Sequence, residues 1–522
     1  MVKMNKIKLY AGLIFGKENN LENDEKDISL IENKNDLKEL SIPYEFFSIP
    51  YKDEKSILYF PEIGSCFLIS KSIYELVLKI KNKENIELDK KEIAILNYFL
   101  LNGIIDINVD VENNKKRQCC QNNEKEECIE YLPVRLHLCP TSACNLRCIY
   151  CYASGGDNSK YMDFKLAKAS IDFVIENIIK KKEKKLELSF HGGGEVMMAF
   201  NLVKQAINYT KDICKKHDIL LSTSLATNLV LKKDHIDYII NNFNFATISV
   251  DGTKDIHNKQ RPTANGEGSF EIISNNIKTL EENNFPYGIR VTITKDSVEE
   301  MEKIAKFFIN DFKKAKSYHF EPLFKVNRAE KNDLDSVDMF RFGENFLKAK
   351  KVIEKDNKRI FMCSGSLEET ETRFCGALKS GFWVTPEGYV TTCAEVLTLE
   401  DSRADPFIIG KYDDEKNQFV FNYERIKKLR SRDVRDIENC KNCFAKYHCK
   451  GYCPTKVAKI TGDIMDTKNI PWCGYTKKIL KTKLLELLEK KEFQLTEEDY
   501  MLFGEPDKLT EDDIVEQKLV ES

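Results

Sequence analysis

The chain has 522 residues, enough at roughly 100–200 residues per domain for about three or four folding units. Hydrophobic residues make up 42% and charged residues 32%, so the chain carries material for a large core and is too apolar to be disordered. Lys and Arg number 81 against 84 Asp and Glu, a near balance that argues against a general nucleic-acid binder. No apolar run reaches membrane-spanning length, and the short apolar stretch near the start lacks a clean cleavage site for a signal peptide. The 17 cysteines fall mostly into two dense groups. In a long, lysine-rich chain without a signal, clustered thiols read as metal or iron–sulfur ligands and not as a disulfide framework, which points to a cytoplasmic protein.

Residues 1–42 are polar and are expected to be a loose lead-in. Short strands are predicted at Ser56–Phe60 and Ser65–Ser70, followed by helices from Ser72 and from Lys91, the second ending at Gly103 as C-cap. Residues 1–110 are therefore read as a small α+β unit with a winged-helix look, and 111–133 as a charged linker carrying Cys119, Cys120 and Cys128. A β/α alternation begins at Val134. Strands are predicted at 134–138, 186–190, 219–226, 245–250, 288–294 and 317–324, with helices at 163–181, 198–216, 270–284 and 297–313. Six such units predict a parallel sheet or partial (β/α)6 barrel over 134–358, with chemistry at the C-terminal ends of the strands. A cysteine-rich region spans 359–475. Residues 476–522 are read as the end of an amphipathic helix (474–492) and an acidic tail.

The first cysteine group, Cys144, Cys148 and Cys151, leaves the first strand of the alternation. Three closely spaced thiolates can wrap a cubane cluster and leave one iron open, whereas an electron-transfer cluster has four cysteines. This C-x3-C-x2-C run, with Tyr150 before the last cysteine, resembles the signature of the radical S-adenosylmethionine (SAM) enzymes. A zinc knuckle borrowing Cys139 is the bland alternative; otherwise Cys139 is a structural thiol. His191-Gly-Gly-Gly-Glu195 is similar to the Gly-Gly-Glu motif of that superfamily. Thr227-Asn228, Ser249, Asp251, His257 and Arg261 resemble the strand-end series of its sulfatase-maturing and peptide-modifying members. The resemblance implies a SAM site made by Tyr150, Gly193, Gly194, Glu195, Asn228, Ser249, Asp251 and Arg261, bordered by Leu323 after the sixth strand. It leaves the group that acts on substrate unassigned.

In the second group, Cys375 and Cys393 frame a C-x12-G-x4-C run, followed by Cys440, Cys443, Cys449 and Cys453 as C-x2-C-x5-C-x3-C, and then by Cys473. The spacing resembles the SPASM domain, the iron–sulfur extension of radical SAM enzymes that act on peptides and proteins; zinc ribbons are the alternative use of paired cysteines. The resemblance implies two auxiliary clusters. One uses Cys375, Cys393 and Cys453, with Cys363 as candidate fourth ligand or an iron left open to a substrate thiolate. The other uses Cys440, Cys443, Cys449 and Cys473. Three [4Fe-4S] clusters and SAM are thus the expected cofactors.

The implied activity is an oxidoreductase that matures a ribosomally made precursor peptide, forming a thioether or related cross-link on a Cys-containing core. Its leader would be captured by the N-terminal unit, whose alternative reading is a lid or dimerisation domain. The expected partners are the precursor peptide and a reductant such as flavodoxin or ferredoxin, with no nucleic acid and no membrane. The alternatives are an anaerobic sulfatase-maturing, formylglycine-generating enzyme and a non-catalytic iron–sulfur electron carrier. The sulfatase maturases carry an aspartate base directly after the cysteine matching Cys393. Here that residue is Ala394, and on an extended segment Glu395 is expected to face away.

Overall fold

The computed structural model describes residues 11–13, 40–52, 54–84, 88, 90–101, 104–107 and 130–490. Gly103, the linker cysteines Cys119, Cys120 and Cys128, and the acidic tail lie outside the described residues.

The lead-in is not wholly loose: Ala11–Leu13 forms strand β1, and Leu40–Ser41 forms β2. Strands β3 (Phe47–Pro50), β4 (Ser56–Phe60) and β5 (Ser65–Ile69) follow. They make an antiparallel sheet in the order β1-β5-β4-β3, while β2 pairs with β6 (Asp106–Ile107). Strand β4 is apolar from Ile57 to Phe60 because both faces are covered there, and alternate side chains serve opposite faces. Leu58 and Phe60 pack with Phe67 and Ile69 against the helices Lys71–Lys81 and Lys90–Leu101, through Leu76, Val77, Ile95 and Phe99. Ile57 and Tyr59 turn the other way, with Phe47, Ile49 and Cys66, onto Leu480, Leu484 and Leu488. Those leucines, four residues apart, make one face of the helix Trp472–Lys490.

The same unit reaches the second cysteine group. The Tyr447 hydroxyl donates to Glu45 at 2.7 Å, and Lys446 pairs with Glu45 at 2.6 Å. Tyr59 hydrogen-bonds His448.

The β/α alternation is present and runs one strand further than predicted. Parallel strands β7 (Arg135–Leu138), β8 (Lys185–Phe190), β9 (Leu220–Thr227), β10 (Phe245–Ser249), β11 (Tyr287–Ile293) and β12 (Ser317–Pro322) lie side by side, and β13 (Arg359–Phe361) adds a seventh. The expected boundary at 358/359 therefore falls inside the sheet, just before β13. The sheet does not close. It continues beyond β7 through β14 (Trp383–Val384), β15 (Tyr389–Thr391), β16 (Ile408–Asp413) and β17 (Gln418–Phe421), so the cysteine-rich region extends the core sheet. Helices such as Phe164–Lys180 and Phe200–Lys216 bury one apolar face on the sheet. The first starts at Asp163, whose carboxylate accepts from the Leu166 N–H as an N-cap. Among the described residues, no helix is long and apolar enough to cross a membrane.

Candidate functional site

Loops leaving the C-terminal ends of β7 to β12 line one cavity. The Cys139–Cys151 loop follows β7 and presents Cys144, Cys148 and Cys151 to it. Four N–H groups aim at these sulfurs. The Gly155 amide lies 3.3 Å from Cys151 Sγ and the Leu146 amide 3.5 Å from Cys144 Sγ. Asn228 Nδ2 lies 3.8 Å from Cys144 Sγ, and Arg261 Nη1 3.8 Å from Cys148 Sγ. Burial pushes the Cys144 thiol up to about 11 and the Cys148 thiol up to about 12, so without a metal both stay protonated at neutral pH. Coordination deprotonates thiols outright, and N–H donors around the sulfurs suit bound thiolates. The three cysteines therefore fit an iron–sulfur cluster with one side open to the cavity. Cys139 is set apart from them: buried, its thiol donates to the His191 carbonyl at 3.0 Å.

The turn after β8 brings Gly193, Gly194 and Glu195 to the same cavity. The Gly194 amide donates to the Thr141 carbonyl and the Glu195 amide to the Ala143 carbonyl, both at 2.9 Å. This pins the turn to the cysteine loop so tightly that a Cβ on Gly194 would lie 2.0 Å from the Ala143 oxygen. Buried Glu195 accepts from the Asn228 amide (2.7 Å) and the Thr227 hydroxyl (2.9 Å), and its pKa is raised by burial against those bonds.

Ser249, Tyr150, Asn228, Arg261 and Leu323 also line the cavity. Asp251 does not. Its carboxylate is consumed beneath the wall, accepting from the Tyr150 hydroxyl, Gln260 Nε2 (2.8 Å), Arg261 Nε (3.0 Å) and the Thr292 amide (3.0 Å). Burial raises its pKa, but Arg261, His257 and these donors outweigh burial and hold it below the usual carboxylate range. The expected ligand contact is thus corrected to a supporting one: Asp251 fixes Arg261 and Tyr150, whose ring lies 5.3 Å from the guanidinium.

The far wall was not foreseen. It holds Arg290, Glu321, Glu395 and Lys456. Arg290 Nη1 donates to His319 Nδ1 at 3.0 Å. A guanidinium accepts nothing, so His319 carries its proton on Nε2 and donates it to Glu321 at 3.1 Å. Lys456 lies 3.4 Å from the other Glu321 oxygen. Burial raises the Glu321 pKa, yet Lys456, His319 and Arg290 hold it well below the usual range. The sequence did offer a signal: Arg290 sits within the apolar run of β11, and a charge on a strand covered on both faces needs an inward partner.

Thiols in the second group sort into two sets. Those of Cys375, Cys393 and Cys453 act on one another, as do those of Cys440, Cys443, Cys449 and Cys473. Cys363 lies beside the Arg290–His319–Glu321 chain. Its thiol is 3.4 Å from His319 Nε2, its amide donates to Glu321, and the charges acting most on it are Glu321, Lys456 and Arg290. The strand β13 that precedes Cys363 lies against β12, which carries His319 and Glu321. His319, Glu321 and Cys363 present ligand atoms within 4.8 Å of one another, but the Nε2–H tautomer leaves no imidazole lone pair for an ion. Among the described residues no cysteine is in a disulfide.

Glu395, and not Ala394, lines the cavity. The expectation that it faces away fails because the chain after Cys393 is a turn, closed by the Val396 amide on the Cys393 carbonyl at 3.2 Å, so strand alternation does not apply.

Residues 138–308 match the radical SAM superfamily, and residues 375–444 match SPASM, described as an iron-sulfur cluster-binding domain. The cysteine-type anaerobic sulfatase-maturating enzyme of Clostridium novyi (strain NT) is 31% identical over 171 residues, 32% of this chain and 46% of that one. This chain thus spans about half the length of that relative. The sporulation killing factor maturation protein SkfB of Bacillus subtilis (strain 168) is 24% identical over 397 residues, covering 71% of this chain and 88% of SkfB. Among solved structures, native anSMEcpe with bound AdoMet superposes with a TM-score of 0.53 at 19% identity, covering 69% of this chain and 100% of that one, a likeness of fold.

Proposed function

We propose that this chain, a radical SAM protein with an iron–sulfur SPASM extension, matures a ribosomally made precursor peptide, forming a thioether or related cross-link on a Cys-containing core. One observation carries the reading: a single cavity is lined both by the Cys144–Cys151 loop with the strand-end residues and by Glu395 and Lys456, neighbours in sequence of Cys393 and Cys453. A peptide held there lies between the SAM site and the auxiliary set. When bound, the cluster and SAM supply a 5′-deoxyadenosyl radical that abstracts hydrogen from the substrate.

The protein's own part is binding, orientation and exclusion of water. Gly193 and Gly194 admit the methionine moiety of SAM beside the cysteine loop, and Glu195 offers its carboxylate there. Asn228 orients the Cys144 sulfur, and Ser249, Arg261 and Tyr150 border SAM with Leu323. Arg290, Lys456 and Glu321 give the opposite wall fixed charges that orient the peptide. Three [4Fe-4S] clusters serve this scheme: one on Cys144, Cys148 and Cys151, one on Cys375, Cys393 and Cys453 with an iron open to a substrate thiolate, and one on Cys440, Cys443, Cys449 and Cys473. Cys363 is left out of them. The leader is taken up by the N-terminal unit, where β3 ends the sheet and no described strand pairs with its outer edge. A low-potential reductant such as flavodoxin or ferredoxin supplies the electron in the cytoplasm.

A second reading, formylglycine formation on a sulfatase-type peptide, gains from the position of Glu395, a carboxylate in the cavity two residues after Cys393. One anaerobic incubation tests both. Reduced protein with SAM is expected to release 5′-deoxyadenosine, and a cognate Cys peptide to lose two hydrogen atoms while keeping its sulfur. Loss of the sulfur as an aldehyde forms favours the second reading; no 5′-deoxyadenosine refutes both.

A further inference from the structure

Arg432 lies outside the cavity and outside every motif discussed so far. It is 1% exposed, among the largest fully buried side chains of the protein. Its guanidinium donates to three carbonyls: Ile464 (2.5 Å), Gly451 (2.6 Å) and Lys450 (3.3 Å). Among the described residues no carboxylate pairs with it, and the adjacent Asp433 is taken by Arg435 at 2.8 Å. Carbonyl dipoles alone do not neutralise a buried cation, which is strongly disfavoured without a countercharge. After burial, the groups acting most on it are the thiols of Cys453, Cys440, Cys449 and Cys375, which become anionic when they bind a metal. These come from both auxiliary sets.

The carbonyls it holds are as telling as the charge. Lys450 and Gly451 join Cys449, of one set, to Cys453, of the other. Lys450, Gly451 and Tyr452 all adopt the left-handed conformation, with φ of 57°, 70° and 61°. Side-chain-bearing residues avoid that region, so two of these three need outside support. The turn aims the Lys450 and Gly451 carbonyls at the guanidinium. A Cβ on Gly451 would lie 2.6 Å from Ile437 Cδ1 and 3.1 Å from Arg432 Nη2, so the approach tolerates only glycine there.

We propose that Arg432 is a positioning and charge-compensating residue shared by the two auxiliary clusters: it fixes the Cys449–Cys453 turn that carries a ligand of each, and its buried charge raises the reduction potential of both. The proposal rests on the two-cluster reading of the cysteine-rich region. Each cluster with its thiolates is anionic and gains a further electron on reduction, so a nearby buried cation favours the reduced state; net charge and hydrogen bonding are established levers on such potentials.

The test uses the full-length chain with Cys144, Cys148 and Cys151 changed to Ala, reconstituted anaerobically, so that auxiliary iron alone is read. Iron is counted, and the clusters are titrated by electron paramagnetic resonance at controlled potential, for the parent, Arg432→Lys and Arg432→Met. The Met variant is expected to bring the ratio of reduced to oxidised cluster at fixed potential down at least about tenfold, a shift of about 59 mV to more negative values. Arg432→Lys, which keeps the charge, is expected to stay within about threefold of the parent. If the Met variant loses iron from both sets while the Lys variant keeps it, the charge is again the cause and the proposal stands. Full iron at an unchanged potential in the Met variant overturns it, and so does equal iron loss in both variants, which marks a packing role. A parent without auxiliary iron refutes the two-cluster reading itself, a result distinct from either.

Discussion

Asp251 holds two residues of the cavity wall, Tyr150 and Arg261, although it does not line the cavity itself. Its carboxylate is fully buried and Arg261 is nearly so, with side-chain exposures of 0% and 9%. Replacing Asp251 by Asn keeps the shape and removes the charge, so Arg261 is left as a buried cation without its partner. Breaking a buried pair from one side costs about 3–5 kcal/mol. The Tyr150 hydroxyl loses its charged acceptor in the same step, so both residues lose their register in the cavity wall. A loss of about 1.4 kcal/mol in binding is tenfold in affinity, and SAM is expected to bind at least tenfold more weakly. Denaturant unfolding and equilibrium dialysis with labelled SAM measure the two effects. The double change Asp251→Leu with Arg261→Met is expected to recover much of the stability, because a packed apolar pair replaces the ions, and none of the SAM binding. Asp251→Asn within about 1 kcal/mol of the parent, the range of an exposed pair, and with unchanged SAM affinity, would refute this account of the wall.

Changing Cys144, Cys148 and Cys151 together to Ala is expected to remove about a third of some 12 iron per chain and all 5′-deoxyadenosine formation, by iron assay and chromatography. Gly194→Ala, which drives a Cβ into the Ala143 carbonyl, is expected to abolish SAM binding while the iron content stays near the parent's. Lys483, whose Nζ donates to the Gly365 carbonyl at 2.9 Å, has its pKa lowered to about 8 by burial first and then by Lys350. Between that value and its unfolded value the unfolded chain binds the extra proton, so stability from this group rises with pH across the window and its cost is full below it. Lys483→Met is therefore expected to stabilise the protein at pH 7 by at most about 3 kcal/mol, with the gain fading between about pH 8 and about pH 10, read from melting temperatures across pH. Removing residues 1–110 is expected to weaken precursor binding and, because it uncovers Leu480, Leu484 and Leu488 and frees Lys446 and Tyr447 from Glu45, to cost iron of the Cys440–Cys473 set as well.

The strands of the core were legible because each is a short apolar run bounded by helical spacing. The six predicted strands start and end within two residues of those observed. Strand β13 escaped notice because Arg359–Phe361 is only three residues long and is made a strand by its neighbour β12. Strand β1 escaped for a similar reason: Ala11–Leu13 gains its pairing from β5, more than 50 positions away in sequence. The cysteine sets were legible because ligand geometry imposes spacing. The contact of Cys363 with His319 was not legible because distance along the chain from Cys375 says nothing of direction, and β13 carries it toward His319. Asp251 was assigned to the cavity because sequence order alone does not separate a residue at a strand end from the one supporting it.

Glu395 and Lys456 bring the cysteine-rich region into the cavity. Each follows a cysteine of the same set, Glu395 two residues after Cys393 and Lys456 three after Cys453. Each also has a countercharge elsewhere: Glu395 lies 3.4 Å from Arg403, and Lys456 3.4 Å from Glu321 on β12. The wall of the cavity is thus built half from the parallel sheet and half from the cysteine-rich region, and an ion pair ties the halves together. Lys456 is 5% exposed and Glu321 3%, so the Lys456–Glu321 pair cannot be broken from one side without leaving a buried charge. A cysteine-rich region that only carried electrons would have no need to line this cavity. Here the two regions share one sheet through β7 and β14, one buried ion pair and one cavity, so the Cys144–Cys151 loop and the Cys375–Cys453 set are held relative to each other by the same residues.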